Sequence, residues 1–281
     1  MSAEGARDRA PAGPPVAPGD MATLCDDLAA EHAALDALVA GLDEARWNLP
    51  TPAEGWSVRD QIGHLAYSDV AAYMAAAEPE AFARDDAAVP RGERKERQLA
   101  IGRAMTGPQL LHWWRLSRAA MVDVFRRLDA RARLPWFGPS MSARSFATAR
   151  LEETWGHGQD VADALGVERE PTERLRHVAH LGVITRAFSF TNQGRPAPAV
   201  DVRVELLSPG GATWTWGEAA ATDRVTGPAL DFCLVVTRRR HPADTRLVIT
   251  GPVADEWMLR AQAFAGPPGS GRRPGQFPKP A

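Results

Sequence analysis

The chain has 281 residues, of which 44% are hydrophobic and 24% are charged, as is usual for a water-soluble globular protein. This length allows one large domain or two modest domains, each with its own core. The net charge of −2 gives no electrostatic argument for binding nucleic acid or an anionic membrane, and no run of about 18 apolar residues exists to form a transmembrane helix. We therefore expect neither nucleic acid nor membrane as a partner.

The only two cysteines, Cys25 and Cys233, both lie in segments with periodic apolar residues. This setting favours two buried free thiols over a disulfide, which fits a reducing compartment. The first residues also lack the apolar core of a signal peptide. The sequence therefore predicts a cytoplasmic protein.

The N-terminal half predicts four long helices. The first follows Asp20 and runs to about Arg46, and prolines and glycine then impose a loop. Ser57 with Asp60 three positions later is typical of a helix start, so the second helix is predicted from Val58.

Residues 78–100 are charged and contain prolines, and are predicted as a loop. The third helix is predicted from Gly107 or Pro108 to Ala132. The fourth is predicted from near Ser142 to Gly166, a glycine suited to a helix C-terminus. Four such helices suggest a bundle, and bundle cores are common places for metal sites.

The C-terminal part mixes helices and strands. A helix is predicted over roughly Thr172–Gln193, followed by a β-hairpin whose turn lies at residues 208–211. A helix near Pro228–Arg239, a strand near Arg246–Thr250 and a helix near Ala254–Phe264 complete the prediction. The fold class is therefore α+β. We expect a disordered leader (1–19), a metal-binding helical bundle (20–170), a helix plus small α+β domain (171–265) and a disordered tail (266–281).

One pair of residues suggests metal chemistry. Glu153 and His157 are four positions apart, so both project from the same face of the fourth helix. The best third ligand is His64, in the second turn of the second helix. Two histidines and one carboxylate form the ligand set of catalytic zinc sites that keep one coordination position open.

Other interpretations of these residues remain open. A histidine on a helix is more often a surface or hydrogen-bonded residue than a ligand, and a Glu–His pair at this spacing also occurs by chance. His177 and His180, three positions apart, form the chief rival pair, although no obvious carboxylate from another helix accompanies them.

The segment from Trp47 to His64 resembles the N-terminal signature of the mycothiol-dependent maleylpyruvate isomerase family, within the DinB-like helical superfamily. There, a Thr-Pro-x-x-Gly-Trp-Ser/Thr-Val-x-Asp segment and a histidine follow the first helix, and a later helix carries Glu-x-x-x-His. The matching residues here are Thr51, Pro52, Gly55, Trp56, Ser57, Val58, Asp60 and His64, followed by Glu153 and His157.

This resemblance implies a DinB-like four-helix bundle followed by a sterol-carrier-like domain. It also implies zinc held by His64, Glu153 and His157, with mycothiol as the thiol cosubstrate. Asp160 lies one turn beyond His157 and is either a hydrogen-bond partner of that imidazole or a solvated charge. Glu152 points about 100° away from Glu153 and is the poorer ligand.

In the C-terminal domain the resemblance implies a substrate-binding arginine near the end of a helix. We assign this role to Arg239 rather than to its neighbours Arg238 and Arg240, although a positive charge at a helix C-terminus is also favourable in itself. The segment after Ala261 departs from the isomerase pattern. This departure favours a related group whose substrate has changed.

The function predicted on this basis is that of a zinc-dependent enzyme, a mycothiol-dependent S-transferase. A metal would supply the thiolate, since a free thiol is largely protonated at neutral pH. The partners would be a low-molecular-weight thiol and a small electrophile. The alternatives are a cis–trans isomerase of the maleylpyruvate type, an Fe(II) oxygenase with the same ligand set, and a non-catalytic metal-binding module.

Overall fold

The computed structural model describes residues 20–90 and 92–277, and the chain divides into two compact units. The boundary falls between Glu170 and Pro171. We call residues 20–170 the helical unit and residues 171–277 the α+β unit. The predicted leader, residues 1–19, lies outside the described residues.

The helical unit contains a four-helix bundle, as predicted. The helix pairs α1–α6, α1–α7, α3–α6 and α3–α7 are all in contact, so these four helices close into a ring. The elements of the unit are α1 (Met21–Val39), α2 (Glu44–Trp47), α3 (Val58–Ala77), α4 (Pro79–Ala88), α5 (Arg94–Arg103), α6 (Gly107–Arg126), β1 (Arg133–Leu134), β2 (Met141–Ser142) and α7 (Ala143–Leu165).

The boundaries of α3 and α7 follow from their terminal residues. Ser57 and Asp60 form a capping box at the start of α3, because each side chain accepts a hydrogen bond from the other residue's backbone N–H. Ser142 caps α7, which ends at Gly166 with a φ of 65°, a left-handed conformation that glycine adopts without strain. These predicted boundaries are confirmed.

The prediction of a loop over residues 78–100 is wrong, because α4 and α5 occupy most of that segment. Only Gln98, Leu99 and Gly102 of α5 are buried, so the apolar periodicity that identifies a helix is weak there. The helix contacts α3 at two glycines. A Cβ built on Gly63 would lie 3.3 Å from Cα of Gly102.

Two other predicted helices are shorter than expected. The first helix ends at Val39, and the separate helix α2 follows it. The third helix ends at Arg126. Beyond it, backbone N–H groups of Arg127 and Leu128 donate to carbonyls three residues earlier, which closes the helix with a tighter turn.

A buried ionic network joins three helices of the bundle. Asp69 on α3 is fully buried and accepts hydrogen bonds from Arg150 on α7, at 2.8 and 3.1 Å. The indole Nε1 of Trp114 on α6 donates to the same carboxylate at 3.1 Å. Because a buried carboxylate needs such partners, this network constrains α3 and α7 to the alignment that brings their functional residues together.

The α+β unit contains a mixed sheet of four strands in the order β4–β3–β5–β6. The predicted hairpin is confirmed as β3 and β4, which are antiparallel, whereas the unpredicted strand β5 runs parallel to β3. The elements are α8 (Leu175–Ile184), α9 (Arg186–Thr191), β3 (Val202–Leu207), β4 (Thr213–Trp216), β5 (Asp223–Pro228), α10 (Ala229–Val236), a 3₁₀ turn (Pro242–Asp244), β6 (Val248–Thr250) and α11 (Pro252–Arg260).

The single helix predicted for residues 172–193 is two helices, interrupted at Thr185. The hydroxyl of Thr185 donates to the carbonyl oxygen of Leu181 at 2.7 Å. A hydrogen bond from a side chain to the carbonyl four residues earlier competes with the backbone hydrogen bonds of a helix, and here it occurs at the residue where the helix is interrupted. The predicted helix near Pro228–Arg239 is present but spans only Ala229–Val236.

Part of the predicted disordered tail is held by hydrogen bonds. The backbone N–H of Gly275 donates to the carboxylate of Asp244 at 2.7 Å, and the carbonyl of Gly266 accepts from Asn192 and Gln262. Residues 278–281 lie outside the described residues. Both cysteines are buried and unbridged, as predicted, and no described helix has the length and apolar character needed to cross a membrane.

Candidate metal centre

Three side chains from two bundle helices converge on one point. His64 lies in the second turn of α3, and Glu153 and His157 lie one turn apart on α7. Oε2 of Glu153 is 3.2 Å from Nε2 of His64 and 3.3 Å from Nε2 of His157. Within the described residues, this is the one group of three or more His, Cys, Asp or Glu side chains whose ligand atoms all lie within 4.8 Å of one another.

Each imidazole is oriented by a glutamine on its far side. Nδ1 of His64 is 3.2 Å from Oε1 of Gln98 on α5, and Nδ1 of His157 contacts Oε1 of Gln61 on α3. An amide oxygen can only accept a hydrogen bond, so each histidine donates its Nδ1 proton. In the neutral imidazole, Nε2 then carries a lone pair directed at Glu153; in the protonated imidazole, it carries a second N–H that donates to the same carboxylate.

The loop before α3 fixes Gln61 in turn. Nε2 of Gln61 donates to the hydroxyl of Thr51 at 2.9 Å, and that hydroxyl donates to the carbonyl oxygen of Trp56 at 2.9 Å. The loop closes on itself, because the backbone N–H of Thr51 donates to the same carbonyl at 2.8 Å. The signature segment thus orients His157 through Gln61, a role the sequence alone did not predict.

Trp56 forms one wall of the centre. Its indole stacks on the ring of His157 with 5.8 Å between centroids, and it meets the ring of His64 edge-on at 5.5 Å. Nζ of Lys95 lies 5.6 Å from the centroid of the same indole. The indole limits the rotation of both imidazoles and shields one side of the site from water.

The carboxylate of Glu153 is held in its charged form. Burial raises the pKa of Glu153, but hydrogen bonding with His157 and His64 outweighs burial and holds the pKa well below its usual range. The side chain is 21% exposed, so the site remains open to a small ligand.

The donor set fits a divalent metal. Two imidazole lone pairs and one carboxylate oxygen face one another, and three acceptors at this separation repel unless protons or a cation lie between them. Ligand atoms about 2.0–2.1 Å from a tetrahedral zinc ion lie about 3.3 Å apart, in agreement with the two distances to Glu153. Three protein ligands leave a fourth position open.

Several other sequence candidates lie outside this cluster. Nδ1 of His180 accepts a hydrogen bond from the indole of Trp216 at 3.3 Å, and the rival pair of His177 and His180 belongs to no such cluster among the described residues. Glu152 is buried and takes no part. Nδ1 of His157 contacts Oε1 of Gln61, and Asp160 is buried, so the alternative that Asp160 is a solvated charge is wrong.

Arg239 follows α10 in the α+β unit. Its Nη1 donates to the carbonyl of Thr237 at 2.7 Å, and its guanidinium lies 5.8 Å from the ring centroid of Phe264. Its role in binding substrate stays a prediction.

A cavity of about 160 Å³ lies next to the centre between α3, α4 and α5. Tyr67 and Ala71 line it one and two turns beyond His64 on α3, and Arg94 and Ile101 line it on either side of Gln98 on α5. A helical turn advances about 5.4 Å, so the cavity begins about one turn from a candidate ligand. Its other walls contain the charged residues Asp85, Asp86 and Arg97 and the apolar residues Val70, Met74, Phe82, Ala88, Val89 and Phe137.

Comparison with known proteins identifies the family. A family model described as the mycothiol maleylpyruvate isomerase N-terminal domain matches residues 28–162, which include all three candidate ligands. Two uncharacterized proteins of Mycobacterium tuberculosis, from strains CDC 1551 and H37Rv, are 47% identical over 249 residues, which cover 88% of this chain and 96% of each relative. The domain formed by residues 28–162 belongs to the mycothiol maleylpyruvate isomerase N-terminal domain family.

The fold also matches solved structures. Crystal structures of the mycothiol-dependent maleylpyruvate isomerase and of a histidine-to-alanine mutant superpose with TM-scores of 0.53 and 0.54 at 18% identity. Each match covers 78% of this chain and 90% of the other. The predicted α+β architecture is thereby confirmed, and family membership together with the shared fold supports an enzyme.

Proposed function

We propose that this chain is a zinc-dependent enzyme that uses mycothiol to attack a small electrophile, as an S-transferase. The observation that supports it is the convergence of Nε2 of His64, Nε2 of His157 and Oε2 of Glu153, with both Nδ1 atoms turned away toward glutamines. This arrangement offers three ligands and one open position. The choice of mycothiol as the thiol is taken from the description of the matching family, which names it.

The protein would need an external cofactor to activate a thiol. When bound, zinc would deprotonate a thiol coordinated at the open position, so that the sulfur is nucleophilic at neutral pH. Glu153 and the two histidines would hold the ion, Gln61 and Gln98 would orient the imidazoles, and Trp56 would limit access of water.

The electrophile would extend into the cavity beside His64. The cavity wall from α3 is largely apolar, whereas α4 contributes Asp85 and Asp86 as well as apolar residues. The guanidinium of Arg94 pairs with Asp86 and lies 4.1 Å from the ring centroid of Phe137. An electrophile with an apolar or aromatic body fits such walls. In S-transfer the sulfur forms a bond to the electrophilic carbon while the leaving group departs with its electron pair. Arg239 is proposed from the sequence alone to bind an anionic group of the substrate.

Metal analysis of the purified full-length protein tests the ligand set. We expect close to one zinc per chain, and we expect His157→Ala to lose it while remaining folded. His112→Ala is the matched control, because His112 is an exposed histidine on α6 outside the cluster. Full zinc occupancy in His157→Ala would refute the assignment.

Thermal unfolding with mycothiol tests the role of the thiol. Mycothiol should raise the Tm of the zinc-loaded protein but not that of the metal-free protein, because the sulfur would bind at the metal. An equal rise in both forms would mean that the thiol binds elsewhere.

Isomerisation is the second candidate, because the solved structures that share this fold are those of a maleylpyruvate isomerase. The two reactions differ in the fate of the sulfur. An isomerase returns the thiol unchanged after each turnover, whereas an S-transferase consumes one thiol per product. Measuring free mycothiol together with product therefore separates them.

A further inference from the structure

A second cavity, of about 300 Å³, lies in the α+β unit between the segment after α10 and residues 270–274. Cationic side chains dominate its walls, and none of the lining residues that the structure describes has a carboxylate. The polar and cationic lining residues are Arg238, Arg240, His241, Ser270, Arg272 and Arg273. Val235 and Met258 belong to its apolar part. Arg239, the arginine assigned to substrate, is not among the lining residues.

Arg238 holds an unusual backbone conformation at this cavity. Its φ is 61°, and it is the one residue other than glycine with a positive φ in the described part of the chain. The N–H groups of Arg238 and Arg239 donate to the carbonyls of Val235 and Leu234, which forms a Schellman turn at the end of α10. Glycine is the usual residue at the left-handed position of this turn, so an arginine there is strained.

The guanidinium of Arg238 is poorly compensated. Its Nη1 is buried and has no hydrogen-bond partner among the residues described. Burial lowers the pKa of Arg238, and no carboxylate in the described part of the chain opposes that shift. Gly271 lies close to the same group, since a Cβ built there would lie 2.8 Å from Nη2 and a larger residue would not fit without a shift. Partial burial of a cation without a counterion has a cost in free energy, and an anionic ligand would reduce that cost.

We propose that this cavity binds a small molecule through a phosphoryl group, with Arg238 and Arg273 as its principal contacts. Guanidinium groups match the geometry of phosphate oxygens and bind them with two parallel hydrogen bonds. The volume accommodates a small ligand. Strain retained at Arg238 fits a functional role, because strained residues concentrate at ligand sites.

Titration calorimetry of the full-length protein with pyrophosphate, at constant ionic strength, tests the proposal. We expect saturable binding to wild type, weakened at least tenfold in Arg238→Asn and several-fold in Arg273→Met. Arg195→Met removes the same charge from an exposed ion pair with Glu256 outside the cavity, so its affinity should equal that of wild type. Absence of saturable binding, or equal weakening in all three variants, would overturn the proposal.

The melting temperature of Arg238→Asn separates ligand binding from a structural role. Asparagine tolerates a positive φ and removes the uncompensated charge, so the ligand-free variant should melt at or above the wild-type temperature. A lower Tm would instead make Arg238 a structural residue and count against the proposal. Citrate serves as the carboxylate comparison, and tighter binding of citrate than of pyrophosphate would rule out phosphoryl recognition.

Discussion

The amide Nε2 of Gln61 lies 2.9 Å from the hydroxyl oxygen of Thr51 and donates a hydrogen bond to it. The other end of that amide faces Nδ1 of His157. A loop residue thereby sets the orientation of a candidate metal ligand on a different helix. Partners of this kind fix both the tautomer and the direction of the imidazole.

Removing this support should weaken metal binding without removing a ligand. We expect Gln61→Leu to lower zinc affinity by about 10–100-fold, the range typical of lost partners behind a ligating histidine. Competition with a chromogenic chelator would measure the change. Gln109→Leu is a control, because Gln109 caps α6 at the surface. An unchanged affinity in Gln61→Leu would show that the amide does not support the ligand.

The protein's own thiols should not supply the nucleophile. Burial raises the pKa of the Cys25 thiol to about 11, and Cys233 is equally buried, with its Sγ 3.4 Å from the carbonyl oxygen of Leu175. A thiol that is buried and protonated reacts slowly with thiol reagents. We therefore expect negligible reaction with Ellman's reagent at pH 8 in the native state and two reactive thiols after denaturation. Rapid reaction of one thiol in the native protein would contradict this prediction.

Acid should weaken the start of α3 through Asp60. Burial raises the pKa of Asp60, but hydrogen bonds from Arg103 and Ser57 outweigh burial and lower the pKa overall. A carboxylate with a lowered folded-state pKa stabilises the fold above its unfolded pKa, about 3.9, and this stabilisation is lost as the pH falls through the folded value.

Urea unfolding of Asp60→Asn at several pH values would measure this effect. At pH 7 we expect the variant to lose about 1.5–3 kcal/mol, as for a hydrogen bond to a charged group. The difference from wild type should begin to shrink below about pH 4, where Asp60 is protonated in the unfolded chain, and its charge-dependent part should be lost once the pH falls below the lowered pKa of the folded state. Asp123→Asn removes an exposed carboxylate that pairs with Arg127 and should show little difference at any pH. A pH-independent loss in Asp60→Asn would show that the charge is not responsible.

The sequence predicted the proposed ligands because their signals are local or belong to a recognisable motif. Glu153 and His157 share a helix face by spacing alone, and His64 follows the signature segment. Gln98 could not be predicted in the same way. It lies on α5, whose few buried residues gave no periodicity, and its role depends on how that helix crosses α3.

The missed elements have a similar physical cause. Strand β5 is six residues long and ends in Gly227 and Pro228, residues that usually indicate a turn. It forms a strand because it pairs with β3 and β6, and both partners are about 20 residues away in the sequence. A local sequence pattern cannot reveal such pairing. The strain at Arg238 also has no local signal, because arginine gives no indication of a positive φ.

The contact between Gly63 and Gly102 limits which sequences can build this centre. A Cβ added to either glycine would lie 3.2–3.3 Å from the Cα atom of the other. The backbones of α3 and α5 are therefore in direct contact at this crossing, with no side chain between them. Gly63 immediately precedes His64, and Gly102 lies one turn beyond Gln98 on α5. Homologues that keep a glutamine at the position of Gln98 should therefore have only very small residues at the positions of Gly63 and Gly102. Homologues with larger residues at these two positions should have a different hydrogen-bond partner for the imidazole of His64.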